Sequence, residues 1–293
     1  MTEKLIVADP VKFADGFDRH PFYIEHALVH HPLLQLPELA GLSTRLPAAM
    51  VEWNSGHAGA YGKPEEIRAA TLPCTETIMR IAERPAWVLL RHIEADARFN
   101  ALLDALLNEI EPLSAPLRDG MCDRAGFIFI SSQAAVTPFH FDPEFNFLLQ
   151  IRGSKTVHMW DPHDRTVLPA PALENYYAGR NDNRNQPYDD SFLKSAWILP
   201  LEVGQGIHFP LHAPHWVKTE SAVSISLSVT FRTTRSKFNE PVYAANGYLR
   251  SQFGIRPLAP GKSLVWDASA HMGWRAARKM RTLLAKATHS RHS

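Results

Sequence analysis

Apolar and polar residues alternate along the second half of the chain with the two-residue period of strands that bury one face. The clearest run is Val223 to Phe231, where Ile225, Leu227, Val229 and Phe231 alternate with Ser224, Ser226, Ser228 and Thr230. One face reads as core, and the other is suited to line a polar pocket. Gly126 to Ser132, Thr137 to Phe141, Asn146 to Ile151, Lys155 to Trp160, Ala196 to Leu199, Gln205 to Phe209 and His215 to Thr219 are also β-rich. Eight short strands separated by turns predict a mainly β fold, a double-stranded β-helix or jelly roll of cupin type.

The first 120 residues mix short strands and helices. Apolar runs near Leu5 and Tyr23 end at Pro10 and Pro32, and the run through Val51 stops at Asn54. Thr75 to Ala82 reads as a short helix and Trp87 to His92 as a strand. From Ala97 to Glu111 the period changes to helical, with Phe99, Leu102, Leu103, Leu106, Leu107 and Ile110 on one face and Asp96 placed to cap the start. Between Asp161 and Ala196 the pattern becomes loop-like. A connection this long suits either a lid, with Tyr176, Tyr177, Arg180, Arg184 and Tyr188 able to hydrogen-bond a polar substrate, or a solvated insertion. After about Ser236 the chain is read as helical, ending in a basic stretch from Gly273 with Arg275, Arg278, Lys279, Arg281, Lys286 and Arg291 and no acidic residue. The expected organisation is therefore an α/β region over 1–120, a jelly roll over 121–235 carrying the insertion at 161–195, and a helical region over 236–293.

The 293 residues are 45% hydrophobic and 21% charged, the balance of a globular protein with a substantial core. A net charge of +1 argues against a nucleic-acid footprint spread over the surface. Two cysteines, Cys74 and Cys122, build neither a disulfide framework nor a Cys-rich zinc site. The charged start MTEKLIVADPVKF has no apolar leader, and no long uncharged apolar run follows. A cytoplasmic, reducing setting with no membrane association is expected. APGKS (Ala259 to Ser263) resembles the end of a phosphate-binding loop, but Arg256 stands where that loop needs its first glycine.

The candidate chemistry lies in Thr137 to Lys155, TPFHFDPEFNFLLQIRGSK. Residues two apart on a strand share a face, so His140 and Asp142 aim an imidazole and a carboxylate at one point. A further histidine would complete the two-His, one-carboxylate facial triad of non-heme Fe(II) oxygenases. Three lie close together downstream, His208, His212 and His215, and spacing excludes none of them. Lys155 follows a strand and a turn at Arg152, Gly153 and Ser154, which carries its ammonium back towards the same place as a point charge for an anion. His26 and His30 have the i, i+4 spacing of a chelating pair, with no carboxylate or thiol at matching distance.

These residues, with the later FPLHAPHWV, resemble the JmjC group of cupin-type Fe(II)/2-oxoglutarate oxygenases. The motif is most similar to the asparaginyl hydroxylase of hypoxia-inducible factor and its bacterial cupin-like relatives. The resemblance covers about residues 127–232. It implies that His140, Asp142 and His215 bind iron and that Lys155 and Thr137 hold the distal carboxylate of 2-oxoglutarate. Asn146 then lines the cosubstrate pocket, and Thr230 falls where the asparaginyl hydroxylase has a second pocket Asn. The implied activity is O2-dependent hydroxylation of a C–H bond in a protein side chain or small metabolite. A homodimer through the C-terminal helices is implied as well. A non-catalytic metal-binding regulator and a cupin enzyme of different chemistry are the alternatives, and neither needs a carboxylate anchor at Lys155 and Thr137.

Overall fold

The computed structural model describes residues 4–55, 71–113, 120–180 and 184–289. The chain divides into two compact units, Met1–Val167 with Asn185–Arg232, and Leu168–Arg184 with Thr233–Ser293.

In the first unit the N-terminal part contributes β1 (Ile6–Val7), α1 (Pro10–Gly16), β2 (Tyr23–His26), α2 (Leu36–Arg45), β3 (Val51–Asn54), α3 (Cys74–Met79), β4 (Trp87–Arg91) and α4 (Ala97–Ile110). The leucine face of α4 is buried as its period predicts, and the Asp96 carboxylate caps it by accepting from the Arg98 N–H. The jelly-roll strands follow: β5 (Met121–Ser132), β6 (Val136–His140), β7 (Phe145–Arg152), β8 (Lys155–Met159), β9 (Trp197–Leu201), β10 (Gln205–Phe209), β11 (His215–Thr219) and β12 (Val223–Thr233). They form an eight-stranded sheet in the order β1-β2-β10-β7-β12-β5-β4-β3 and a four-stranded sheet in the order β6-β11-β8-β9, with antiparallel pairing through β1-β2-β10-β7-β12, through β5-β4-β3 and throughout the smaller sheet. The N-terminal strands thus extend the larger sheet at both edges instead of forming a sheet of their own.

The alternation in β7 and β12 separates two cores. Phe145, Phe147, Leu149, Ile151, Ile225, Leu227, Val229 and Phe231 pack outwards with Phe13, Leu39, Leu42, Phe99 and Leu103 from the helices. The opposite face of the larger sheet meets the smaller sheet across Leu148, Val157, Met159, Ile207, Phe209 and Val217. Polar side chains stand on that inner face too: Ser226 Oγ donates to Gln150 Oε1 at 2.6 Å, and Ser228 Oγ donates to Asn146 Oδ1 at 2.7 Å. The serine face of β12 therefore lines the interior with its hydroxyls satisfied, since an unpaired one would carry a desolvation cost.

The described residues between Asp161 and Ala196 hold more regular structure than the sequence suggests, α5 (Ala170–Tyr177) and a 3₁₀ turn over Asp190–Ser195. In the second unit, α5 is joined to α6 (Thr234–Phe253) by a bidentate ion pair, Arg250 Nε and Nη2 to the buried Glu174 carboxylate at 2.7 and 2.9 Å. Tyr177 stacks on Tyr243, and Arg180 donates to Ser251 and to the Gly247 carbonyl. The last helix, α7 (Leu264–His289), packs on α6. There Phe238 stacks on His271, and the Trp266 indole donates to Asn246. Among the described residues, no helix is long and apolar enough to cross a membrane.

Candidate metal centre

His140 ends β6 and His215 begins β11, and these two residues face each other in the antiparallel ladder. Asp142 follows β6 by two residues. The His140 and His215 rings approach to 4.2 Å between centroids, and their Nε2 atoms lie 3.7 Å from Oδ1 and Oδ2 of Asp142 respectively. Each ring is held from behind. His140 Nδ1 is 2.7 Å from the Pro138 carbonyl and His215 Nδ1 is 2.9 Å from the Ala213 carbonyl. A carbonyl only accepts, so each Nδ1 carries a hydrogen, and the neutral tautomer that this selects, the one a metal requires, turns its Nε2 lone pair towards Asp142. Two lone pairs and a carboxylate converging without a proton between them repel one another unless a cation joins them. The donor set thus fits a divalent metal, and the Nδ1 contacts are the supporting bonds that orient ligand histidines. Among the described residues, His140, Asp142 and His215 form the group of His, Cys, Asp and Glu able to share an ion, with donor atoms within 4.8 Å of one another.

The other two histidines do not join it. His208 is fully buried among Phe17, Phe22, Phe145 and Phe147, and its Nε2 accepts from the Asp18 N–H at 3.3 Å. Burial pushes its pKa down to about 3. His212 takes a left-handed backbone, φ 64°, in the turn before β11, and its N–H donates to the Asp142 carbonyl at 3.2 Å. It supports the loop of the carboxylate without extending a ligand atom into the cluster. Outside the centre, His26 is buried with Nε2 against the Gln150 carbonyl, a structural role in place of chelation. His158 stacks on Trp216 at 3.8 Å on the face of β8 opposite Lys155.

Lys155 opens β8 after Gly153. At Gly153 the φ is 68°, and a Cβ there would come within 2.2 Å of the Val223 carbonyl, which leaves room for glycine alone. The hairpin turns the lysine inwards, where it is 4% exposed, with Nζ 5.4 Å from the centre of the Phe129 ring. Burial lowers its pKa from 10.5 to about 7. Among the described residues, no carboxylate pairs with it.

Thr137 lies on β6 opposite Val217, and its Oγ1 accepts from the Trp87 indole at 3.2 Å. Asn146 and Thr230 pair across β7 and β12; Asn146 is held by Ser228, and Thr230 Oγ1 donates to the Ala125 carbonyl at 3.2 Å. Residues passed over in the sequence complete this interior: Trp87, Phe129, and the buried pair Ser131 and Thr219, whose hydroxyls are 2.9 Å apart. The alternation in GFIFISS would have put Phe129 and Ser131 on the face away from Ile128 and Ile130. The sequence places Trp87 only at the start of a strand, because no sequence signal marks a cross-sheet indole donor. Of the expected lid residues, Tyr188 packs against Phe139, Trp160 and Trp216; Asn185, which is not among them, bridges to His140 along the edge of β6.

Known proteins share this architecture. An X-ray structure of E. coli YcfD superposes with a TM-score of 0.53 at 15% identity, covering 94% of this chain and 69% of that one. A structure described as the Escherichia coli ribosomal oxygenase YcfD in complex with cobalt and 2-oxoglutarate gives 0.51 at 16% identity, covering 94% and 68%. At such identities the likeness is one of fold. No curated protein matches the sequence. Residues 20–244 match a family model described as a cupin-like domain, and with two facing sheets around an inward His-Asp-His cluster, the chain belongs to the cupin-like domain family.

Proposed function

We propose that this protein is an Fe(II)- and 2-oxoglutarate-dependent oxygenase, a hydroxylase acting on a C–H bond of a protein side chain or a small metabolite. The observation that carries the reading is Lys155, an ammonium inside the jelly roll with no carboxylate among the described residues beside it. A buried charge of this kind is costly and calls for a partner, and an anionic ligand supplies one. Lys155 pairs with Thr219 on β11, four residues along the ladder from His215 and on the same face. Four residues of strand span about 13 Å. The lysine and histidine side chains rise from the strands and lean along them, which narrows the gap between ammonium and histidines to one that suits a five-carbon dicarboxylate.

His140, Asp142 and His215 would hold Fe(II), leaving positions for the keto acid and O2. When bound, the iron and 2-oxoglutarate supply the oxidation of a substrate C–H bond with release of succinate and carbon dioxide. The chain's own residues bind and orient. Lys155 and Thr137 hold the distal carboxylate by charge-assisted hydrogen bonds. Asn146 and Thr230 wall the pocket, and Phe129, Met159 and Val217 keep water from it. YcfD, which shares this fold, is described as a ribosomal oxygenase and has been seen with cobalt and 2-oxoglutarate, in line with a protein substrate here. A non-catalytic cupin or a cosubstrate-free enzyme would leave Lys155 without a ligand.

Cys74 and Cys122, neither of them in a disulfide, suit a reducing cytoplasm. A second copy of the chain is proposed to cover α7, where Val265, Met272, Ala276, Met280 and Leu283 are exposed along one stripe. Light scattering of the wild type and of Met272→Asp reads this: a dimer that becomes a monomer supports it, and a wild-type monomer excludes it. The function is tested by anaerobic loading with Fe(II), addition of 2-oxoglutarate and O2, and assay of succinate with peptide and metabolite pools. Absence of 2-oxoglutarate binding by the loaded protein would end the proposal.

A further inference from the structure

The indole of Trp87 touches one half of the proposed carboxylate anchor directly and meets the other through Phe129. Its Nε1 donates to Thr137 Oγ1 at 3.2 Å, and its ring packs against Phe129 at 6.1 Å between centroids. Phe129 in turn lies beneath the Lys155 ammonium. Trp87 is on β4, a strand of the larger sheet, whereas Thr137 and Lys155 are on β6 and β8 of the smaller one. The bond therefore crosses between the two sheets, and it is part-buried.

An indole N–H can only donate, and a threonine hydroxyl has one hydrogen to give and lone pairs with which to accept. Trp87 occupies a lone pair, so the Thr137 hydrogen must be given in another direction. Next to a buried ammonium, a hydroxyl fixed as a donor favours an anion, since a carboxylate can take hydrogen bonds from both groups while a neutral ligand oxygen gains less. A hydroxyl free to turn would offer a donor or an acceptor with little preference. Packing against Phe129 likewise fixes the surface over which the lysine lies.

We infer that Trp87 is a positioning residue for the dicarboxylate anchor, holding the Thr137 hydroxyl in its donating direction and Phe129 under Lys155, so that the pocket selects an anionic cosubstrate end. This rests on the 2-oxoglutarate reading above and adds to it a residue outside the metal cluster.

The test is calorimetric titration of the anaerobic Fe(II)-loaded protein with 2-oxoglutarate for wild type, Trp87→Phe, Thr137→Val, the double variant and Lys155→Ala. Trp87→Phe is expected to weaken 2-oxoglutarate about five-fold and Thr137→Val about ten-fold, in keeping with the net worth of single hydrogen bonds. If Trp87 acts through Thr137, the double variant binds no more weakly than Thr137→Val by more than about two-fold. In turnover, Trp87→Phe raises the KM for 2-oxoglutarate and leaves kcat within about two-fold. Fully multiplied effects in the double variant, or unchanged affinity in Trp87→Phe, overturn the inference. If Lys155→Ala also binds 2-oxoglutarate as wild type, the parent reading has failed instead. Should Trp87→Phe lose Co(II) affinity or melt early, benzothienylalanine at position 87 removes the N–H and keeps the ring shape, and the same criteria apply to it.

Discussion

Replacing Lys155 by Met should make the ligand-free protein more stable while removing 2-oxoglutarate binding. The native side chain is 4% exposed, and burial brings its pKa from 10.5 to about 7. That interval corresponds to about 5 kcal/mol at about 1.4 kcal/mol per tenfold change in proton affinity. Between pH 7 and 10.5 the unfolded chain binds more of this proton than the folded one, so the contribution of Lys155 to stability rises with pH across that window. Below about pH 7 the full cost of burying the charge is present, and above 10.5 it is gone. Methionine has a similar length without the charge, so Lys155→Met is expected to gain about 3 to 5 kcal/mol at pH 7 and about 2 kcal/mol at pH 9. Urea unfolding at pH 7, 8 and 9 measures both values, and the difference between the two proteins cancels every other titrating group. The ligand shows the opposite trend: wild type should lose affinity for 2-oxoglutarate as pH rises past 7, and the variant should bind at least about 100-fold more weakly throughout. A variant less stable than wild type at pH 7, with a parallel pH dependence, would refute the reasoning, because Lys155 would then have its charge satisfied by the protein.

His140→Ala and Asp142→Ala should each abolish iron-dependent succinate release and weaken Co(II) binding by at least about 100-fold, read from visible spectra, while leaving the far-ultraviolet spectrum unchanged. Gly153→Ala should cost about 2 to 4 kcal/mol by thermal unfolding, since its Cβ would meet the Val223 carbonyl at 2.2 Å, and it should weaken 2-oxoglutarate by displacing Lys155. In the second unit, Arg250→Ala leaves the buried Glu174 carboxylate unpaired and should destabilise by about 3 kcal/mol. Arg250→Ala with Glu174→Gln should recover most of that loss.

What the sequence determined by itself was set by local physics. The two-residue period fixed the strands of the jelly roll to within a few residues, because burying one face of a strand leaves its mark on every second position. His140 and Asp142 were legible as a pair because two residues on one strand need no knowledge of the rest of the chain, the turn at Gly153 pointed to Lys155, and a resemblance of motif suggested roles for Thr137 and Asn146. Where residues far apart in the chain meet, only the tertiary structure could decide. His208 and His215 are each buried histidines near the same prolines, yet the β6 to β11 register sets His215 against His140, while the aromatic packing around Phe17 takes His208 into the core. Trp87 is fifty residues from Thr137, and its indole reaches that hydroxyl because the two sheets face each other. The helical segment at Ala170–Tyr177 was hidden for a similar reason: its stability comes from Arg250 and Tyr243 and not from its own short sequence, which has too few turns to hold a helix alone.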